Sequence, residues 1–309
     1  MKASRKGQSK ILYSRIRFKS GRVYYAFLIE GKKLAEKTRA ELKTEVEGLV
    51  AKYGRAPGLA VVQVGEDPAS SIYVNSKIKA CKEAGIESFG YILENDTDEA
   101  YLLNLISELN ADPLVDGILV QLPLPPHIDE SKVTFAIDPQ KDADGFHPIN
   151  VGLLSLGKRA LVACTPLGIL EMLKAAGIEL EGKNAVVLGR SNIVGKPVAQ
   201  LLLKENCTVT VTHSRTKDLP KVCSQADILV VAIGRANFVT PDFVNPDQVI
   251  IDVGINRNEE GKVVGDVDFK AVEPIVRAIS PVPGGVGPMT IAMLLKNTVT
   301  SYCRRMEAQ

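Results

Sequence analysis

The sequence predicts an α/β protein of two domains, the second of them doubly wound. Three observations predict it. Short apolar runs at residues 59–64, 89–93, 117–120, 185–188, 208–212, 227–233 and 248–253 alternate with segments of helical spacing, as strands and helices of parallel sheets do. The chain has 309 residues, enough for two cores. Residues 184–197, NAVVLGRSNIVGKP, run from a strand through a glycine turn into a helix start. That is the arrangement that sets a phosphate against free backbone N–H groups.

Composition narrows the classes. Hydrophobic residues make up 45% and charged residues 24%, the mix of an ordinary globular protein. A formal net charge of +2 is too small to argue for nucleic acid or a membrane surface as partner. No apolar run approaches the ~20 residues of a membrane span. Cys81, Cys164, Cys207, Cys223 and Cys303 are scattered without a C-x-x-C pair, and the three histidines are far apart. This argues against zinc and against a disulfide framework, fits a reducing compartment, and leads us to expect no metal.

Residues 1–29 are rich in Lys, Arg and Ser and contain no acid before Glu30. Two readings are open, a targeting presequence and a segment without function, either a disordered extension or upstream sequence translated from a misassigned start; the second is the expectation, with a cytoplasmic protein rather than an organellar one. Residues 31–52 form a helix on the spacing of Leu34, Thr38, Leu42, Val46 and Leu49, stopped by Gly54. The strand 59–64 feeds the turn Gly65-Glu66-Asp67-Pro68. Ser70 or Ser71 is expected to cap a helix over 72–84, which Gly85 ends. Tyr73 and Lys77 are four apart and so share one face of it.

A strand at 89–93 and a helix at 99–109 follow. The next strand, from Gly117, cannot pass Pro123, so Gln121 stands at its carboxyl end, where ligands gather in open α/β sheets. Residues 141–148, KDADGFHP, have no helical or strand period and read on their own as a solvated turn. After a linker through Ala163, Thr165-Pro166 starts a helix ending at Gly177. We place the domain boundary there, with the strands before it in one sheet and those after it in another.

In the second domain Gly189 and Gly195 flank the turn, which is not G-x-G-x-x-G. The ribose-binding acid of an NAD site falls roughly 20 residues past such a turn. Here the sequence reads His213-Ser214-Arg215, with no Asp or Glu. Ser214, Arg215 and Arg190 offer donors and positive charge instead, which suits a 2′-phosphate and favours NADP over NAD. Near the end, Pro281-Val282-Pro283-Gly284-Gly285-Val286-Gly287-Pro288-Met289-Thr290 predicts a constrained loop whose backbone can approach a ligand. A helix is expected from Thr290 to about Arg304.

From about Ile29 to Met306 the chain resembles the bifunctional 5,10-methylenetetrahydrofolate dehydrogenase/cyclohydrolases. The stretches that carry the resemblance are Tyr73-Val74-Asn75-Ser76-Lys77, Val120-Gln121-Leu122-Pro123-Leu124-Pro125 and residues 283–290, with the glycine turn and residues 141–148 in support. The resemblance implies an enzyme that oxidises methylenetetrahydrofolate with NADP and hydrolyses the methenyl product to 10-formyltetrahydrofolate. It implies an α/β folate domain over 30–164, completed by the carboxyl-terminal helix 289–306, and a Rossmann-like NADP-binding domain over 165–288, with a cleft between them and a homodimer.

The resemblance gives Lys77 as catalytic lysine, Gln121 oriented on it, Tyr73 stacked on the aminobenzoyl ring and Asp144 holding the pterin. It gives Val74, Asn75, Ser76, Val120 and Leu122 as substrate contacts. Pro283, Gly284, Gly285, Val286, Gly287, Pro288, Met289, Thr290 and Ile291 line the folate. Gly189, Arg190, Ser191, Ser214 and Ile255 hold the cofactor. Two other readings stay open on the residues alone: an NADP-dependent oxidoreductase for another small substrate, and a non-catalytic nucleotide sensor.

Overall fold

The structure, a computed structural model, describes residues 13–17 and 23–308. A first parallel sheet is built from β3 (Gly58–Val64), β4 (Glu87–Leu93) and β5 (Gly117–Val120), in the order β4-β3-β5. The elements preceding it are β1 (Tyr13–Arg17), β2 (Val23–Leu28) and α1 (Gly31–Tyr53). Between its strands run α2 (Pro68–Ala84) and α3 (Glu99–Ala111); α4 (Glu130–Ala136), α5 (Pro148–Ser155) and α6 (Cys164–Ala175) follow. All seven residues of β3 are buried, as expected of a central parallel strand covered on both faces.

The second sheet has seven strands in the order β1-β2-β12-β9-β8-β6-β7, from β6 (Asn184–Leu188), β7 (Thr208–Thr212), β8 (Ile228–Val231), β9 (Val249–Asp252) and β12 (Ala278–Ile279). The short hairpin β10 (Asn256–Arg257) and β11 (Val263–Val264) stands off it. Helices α7 (Gly195–Lys204), α8 (Leu219–Ser224) and α9 (Phe269–Val272) connect the strands, and α10 (Val286–Glu307) closes the chain. β6 pairs with β7 on one side and β8 on the other, so the chain reverses its direction of travel across the sheet there. Such a switch point is where an open α/β sheet binds its ligand, and the glycine turn leaves β6 at that point.

The division into two sheets differs from the expectation in one respect. β2 precedes the first sheet in sequence but pairs in parallel with β12 of the second, and β1 pairs antiparallel with β2. Phe27 N–H donates to the carbonyl of Arg277 and Ile29 N–H to that of Ile279, each at 3.0 Å. The strand residues of VYYAFL outweigh the basic composition around them. The expected disordered extension therefore does not hold for 13–17 and 23–28; its residues 1–12 and 18–22 lie outside the described part.

Two helix starts also moved, and two helices stand where the sequence showed none. Helix α2 starts at Pro68, because Asp67 caps it by accepting from Ser70 N–H at 2.7 Å; neither serine is the cap. Helices α4 and α5 occupy a stretch given no element by the sequence. His147 caps α5 by accepting from Ile149 N–H at 3.1 Å. Helix α10 begins at Val286, so the last four residues before Thr290 are its first turn rather than loop.

α10 packs against α1 and α6 and reaches the first sheet, which joins the two ends of the chain in one core with Leu42, Val46, Leu173, Met293 and Leu295. Among the described residues no helix is long and apolar enough to cross a membrane.

Candidate active site

Lys77 lies on α2 and Gln121 just past the end of β5. The Lys77 ammonium donates to Gln121 Oε1 at 2.9 Å. Gln121 Nε2 donates to the carbonyl of Leu122 at 2.6 Å, which fixes which end of the amide faces the lysine. β5 puts Gln121 there because Pro123 ends the strand, and Gln121 N–H still bonds to Val62 of β3 at 2.8 Å. One turn before Lys77, Tyr73 stands 43% exposed at the wall of a cleft.

Asp144 enters from residues 141–148. This segment is no solvated turn: Lys141, Asp142 and His147 are buried. The Lys141 ammonium caps the end of α3 by donating to the carbonyls of Leu109, Asn110 and Asp112 at 3.0, 2.7 and 2.8 Å; burial pulls its pKa down to about 8. The Asp142 carboxylate accepts from the N–H groups of Gly145, Phe146 and His147 and from Asn150 Nδ2. Asn297 of α10 donates to the carbonyls of Ala143 and Val162. The backbone on both sides of Asp144 is thus pinned. The residue is part-exposed, but its carboxyl lies below the surface. Enclosure pushes it up to about 6, against the pull of Lys77 and with a further push from Asp142.

The cleft, about 420 Å³, runs between α1, α2 and the second sheet. Tyr73 and Ser76 line one wall, Pro283, Gly284, Gly285, Val286, Gly287, Pro288 and Ile291 another, and Ile255 a third. Ile255 is 54% exposed, an apolar side chain held out into the cleft by the β9–β10 connection. Behind it, Asp252 and Asp266 are buried, with no ion pair to either among the described residues. Asp266 accepts from the N–H groups of Ile233, Gly234 and Arg235 and from Asn256 Nδ2, all at 2.8–2.9 Å. Asp252 accepts from Gly254, Asp266 and Val267 N–H. Burial pushes Asp252 up to about 6 in spite of these donors.

At the glycine turn, Gly189 has φ +123, and a Cβ there would meet the Ala232 carbonyl oxygen at 2.1 Å. A Cβ on Gly195 would meet the Gly189 oxygen at 2.3 Å. Both positions demand glycine. Ser191 Oγ accepts from Val194 and Gly195 N–H at 3.1 and 3.2 Å, and its carbonyl from Lys196 N–H at 3.0 Å. The first N–H groups of α7 are therefore capped from within, not free as expected, because a serine stands where a small-loop anion site would leave them open. Arg190 is exposed just past Leu188, and Ser214 and Arg215 are exposed just past Thr212, the partner of Leu188 in the β6–β7 register. Those two strand ends are neighbours in the sheet, so Arg190, Ser214 and Arg215 stand close to the glycine turn.

The family model for the tetrahydrofolate dehydrogenase/cyclohydrolase catalytic domain matches residues 29–144, and that for the NAD(P)-binding domain of the same family matches 163–306. The chain belongs to the tetrahydrofolate dehydrogenase/cyclohydrolase family. A bifunctional protein FolD of Acetivibrio thermocellus is 58% identical over 274 residues, 89% of this chain and 96% of that protein. The crystal structure of the bifunctional FolD of Campylobacter jejuni is 52% identical with a TM-score of 0.89, covering 91% of this chain and 99% of that one. The dehydrogenase-cyclohydrolase of Trypanosoma brucei, solved with NADP cofactor and inhibitor, is 39% identical with a TM-score of 0.87, covering 91% and 98%.

Not every site residue expected from the family reaches the cleft. The side chains of Val74 and Met289 are 2% and 0% exposed and sit in the core, because the helical period that brings Tyr73, Lys77, Gly287 and Ile291 outward turns them in. Thr290 is bonded through its hydroxyl to that of Thr165 at 2.9 Å and ties α10 to α6. Ser76 gives its hydroxyl to the Ile72 carbonyl, and Asn75 is exposed beside it. Val120 and Leu122 line a small separate hollow beneath Asp144. Sequence reasoning missed Lys32, Glu36 and Arg39 of α1, which line the cleft, and Asp266. Nothing in α1's spacing separates those three from its solvated face.

Proposed function

We propose that this chain oxidises 5,10-methylenetetrahydrofolate with NADP and hydrolyses the methenyl product to 10-formyltetrahydrofolate at the same site. The observation that carries this is the 2.9 Å Lys77–Gln121 pair beside Asp144, at the carboxyl end of β5. Lys77 moves protons in hydrolysis, and Gln121 holds it on line. Asp144, an acceptor when ionised, takes the donor edge of the pterin amide. Tyr73 offers its ring to the aminobenzoyl group, and Pro283, Gly284, Gly285, Val286, Gly287, Pro288 and Ile291 line the folate.

The glycine turn fits a dinucleotide: its two glycines leave backbone room that a Cβ would fill, and Arg190 with Ser214 supplies donors for a 2′-phosphate. NADP held there would supply the hydride acceptor. Ile255 shields the meeting point from water, and Asp266 holds the loops around it. The fold needs both domains because transfer demands near-attack geometry. The same reading has the protein act as a homodimer in the cytoplasm.

An absorbance assay with methylenetetrahydrofolate and either NADP or NAD tests the reading. NADP should be reduced and NAD used far less well. Each charge-assisted hydrogen bond to the 2′-phosphate contributes on the order of 1.5–3 kcal/mol at best. Arg190→Ala with Ser214→Ala should therefore raise the KM for NADP tenfold or more, as an order of magnitude from those bonds, with little change for NAD. Equal use of both dinucleotides by the parent protein would count against NADP.

The raised pKa of Asp144, about 6, predicts the acid limb of the reaction. Below it the carboxyl carries a proton and no longer accepts from the pterin, so kcat/KM for the folate should fall toward roughly tenfold per pH unit. Asp144→Asn should lower the plateau and flatten that limb. A limb of unchanged steepness in the variant would place the titrating group elsewhere.

A further inference from the structure

Ser214 and Arg215 sit on a turn whose shape is fixed by its two flanking residues, His213 and Thr216. Strand β7 ends at Thr212, which is buried. Its hydroxyl donates to the Val187 carbonyl at 3.3 Å, and its carbonyl accepts from Gly189 N–H at 3.0 Å. The chain thus leaves β7 anchored to the glycine turn of β6. The next four residues, His213-Ser214-Arg215-Thr216, close into a β-turn, with Thr216 N–H donating to the His213 carbonyl at 2.9 Å. Ser214 and Arg215 are its central pair, and both are exposed.

His213 closes this turn twice more. Its N–H donates to Thr216 Oγ1 at 3.0 Å, and its ring Nδ1 accepts from Arg215 N–H at 3.2 Å. A backbone N–H can only donate, so Nδ1 is the bare nitrogen and the neutral ring carries its proton on Nε2. Asn and Asp make the same bond to the N–H two residues on, through Oδ1, in an Asx turn. Type I and type II turns differ in the orientation of the central peptide. With Arg215 N–H bound to the ring, the peptide between Ser214 and Arg215 is held one way up.

The turn is tied, but the side chains it carries are open. Lys196, at the glycine turn, is bonded to Asn192 at 2.6 Å. The Ser214 hydroxyl and the Arg215 guanidinium have no protein partner among the described residues. Donors fixed in place before a ligand arrives lose less freedom on binding it.

We propose that His213 is a positioning residue for the cofactor: by holding the turn 213–216 it aims Ser214 and Arg215 at a 2′-phosphate and so sets the preference for NADP over NAD. The inference rests on the NADP reading above. His213 acts through those two residues, and Nδ1 is its working atom.

The test needs no turnover. Adenosine 2′,5′-bisphosphate and adenosine 5′-monophosphate differ only in the 2′-phosphate, and calorimetric titration gives the Kd of each. The parent protein should bind the bisphosphate more tightly. His213→Leu keeps bulk and removes the acceptor. It should shrink the ratio of the two Kd values by about three- to tenfold, the scale of one hydrogen bond to a charged group. His213→Asn restores an acceptor at the same reach. It should bring the ratio back to within about twofold of the parent. A loss of folded fraction changes the stoichiometry of such a titration and not the Kd. In turnover, His213→Leu should raise the KM for NADP with kcat little changed, as loss of an interaction remote from the reacting carbon does.

A His213→Leu variant that keeps the parent ratio, or a His213→Asn variant that loses it as Leu does, overturns the inference and leaves the NADP reading standing. A parent that binds the two nucleotides alike has no 2′-phosphate site, and the NADP reading falls together with the inference.

Discussion

Lys77→Met should nearly abolish methenyltetrahydrofolate hydrolysis and leave measurable NADP reduction. Hydrolysis adds water to a cationic carbon and then moves protons between oxygen and nitrogen. General acid–base catalysis is typically worth ~100- to 10,000-fold in such a step. Hydride transfer needs no proton carrier. Methionine keeps most of the lysine's length and apolar volume while removing the ammonium. It also leaves Gln121 Oε1 without the donor now at 2.9 Å.

Some loss of dehydrogenase activity is therefore expected too, from a less fixed substrate. Gln121→Ala should weaken both activities, since it frees the lysine and removes the polar group that holds it. The deciding measurement is hydrolysis by Lys77→Met, corrected for the spontaneous rate, beside its rate of NADP reduction. Hydrolysis at the parent rate would show that another group carries the proton.

The sequence made the second sheet legible, because buried parallel strands such as β8 and β9 are continuous apolar runs bounded by turns. It made Gln121 and the glycine turn legible for the same kind of reason: Pro123 and Gly189 punctuate the chain where strands end. The membership of β2 was hidden, since local pattern shows a strand but not its partner, and this partner, β12, lies some 250 residues away. Burial at residues 141–148 was hidden because Lys141 satisfies itself on carbonyls at the end of α3 and Asp142 on N–H groups of its own turn. Charged residues so satisfied look like a solvated turn in one dimension. Val74 and Met289 show the opposite error: a motif names consecutive residues, but a helix turns only some of them toward a ligand.

The largest expected effect on stability lies far from the cleft, at Asp116. Its carboxylate is fully buried between two arginines. Arg55 grips it with both terminal nitrogens at 2.7 and 2.9 Å, Arg305 of α10 adds a third bond at 2.7 Å, and Gly58 N–H of β3 a fourth at 2.9 Å. The Arg55 guanidinium also covers the Tyr302 ring at 4.6 Å, and the Tyr302 hydroxyl donates to the Arg55 carbonyl. One residue thus ties the end of α1, the start of β3 and the last helix together.

Asp116→Ala would leave two adjacent guanidinium groups without an anion and Gly58 N–H without an acceptor. Removing one partner of a buried pair costs about 3–5 kcal/mol. The arginine side chains are 24% and 17% exposed and can turn partly to water, so the lower end, about 3 kcal/mol, is expected. At roughly 2–4 °C per kcal/mol for a chain of this order, the melting temperature should fall by about 6–12 °C.

Arg55→Met should cost less, because Arg305 and Gly58 still hold the carboxylate. Calorimetric unfolding of the two variants beside the parent decides it. A loss below about 1 kcal/mol for Asp116→Ala, the scale of an exposed pair, would mean that α10 is held on the amino-terminal domain by its apolar face and its other polar contacts, such as Asn297 to the Ala143 carbonyl, without need of this cluster.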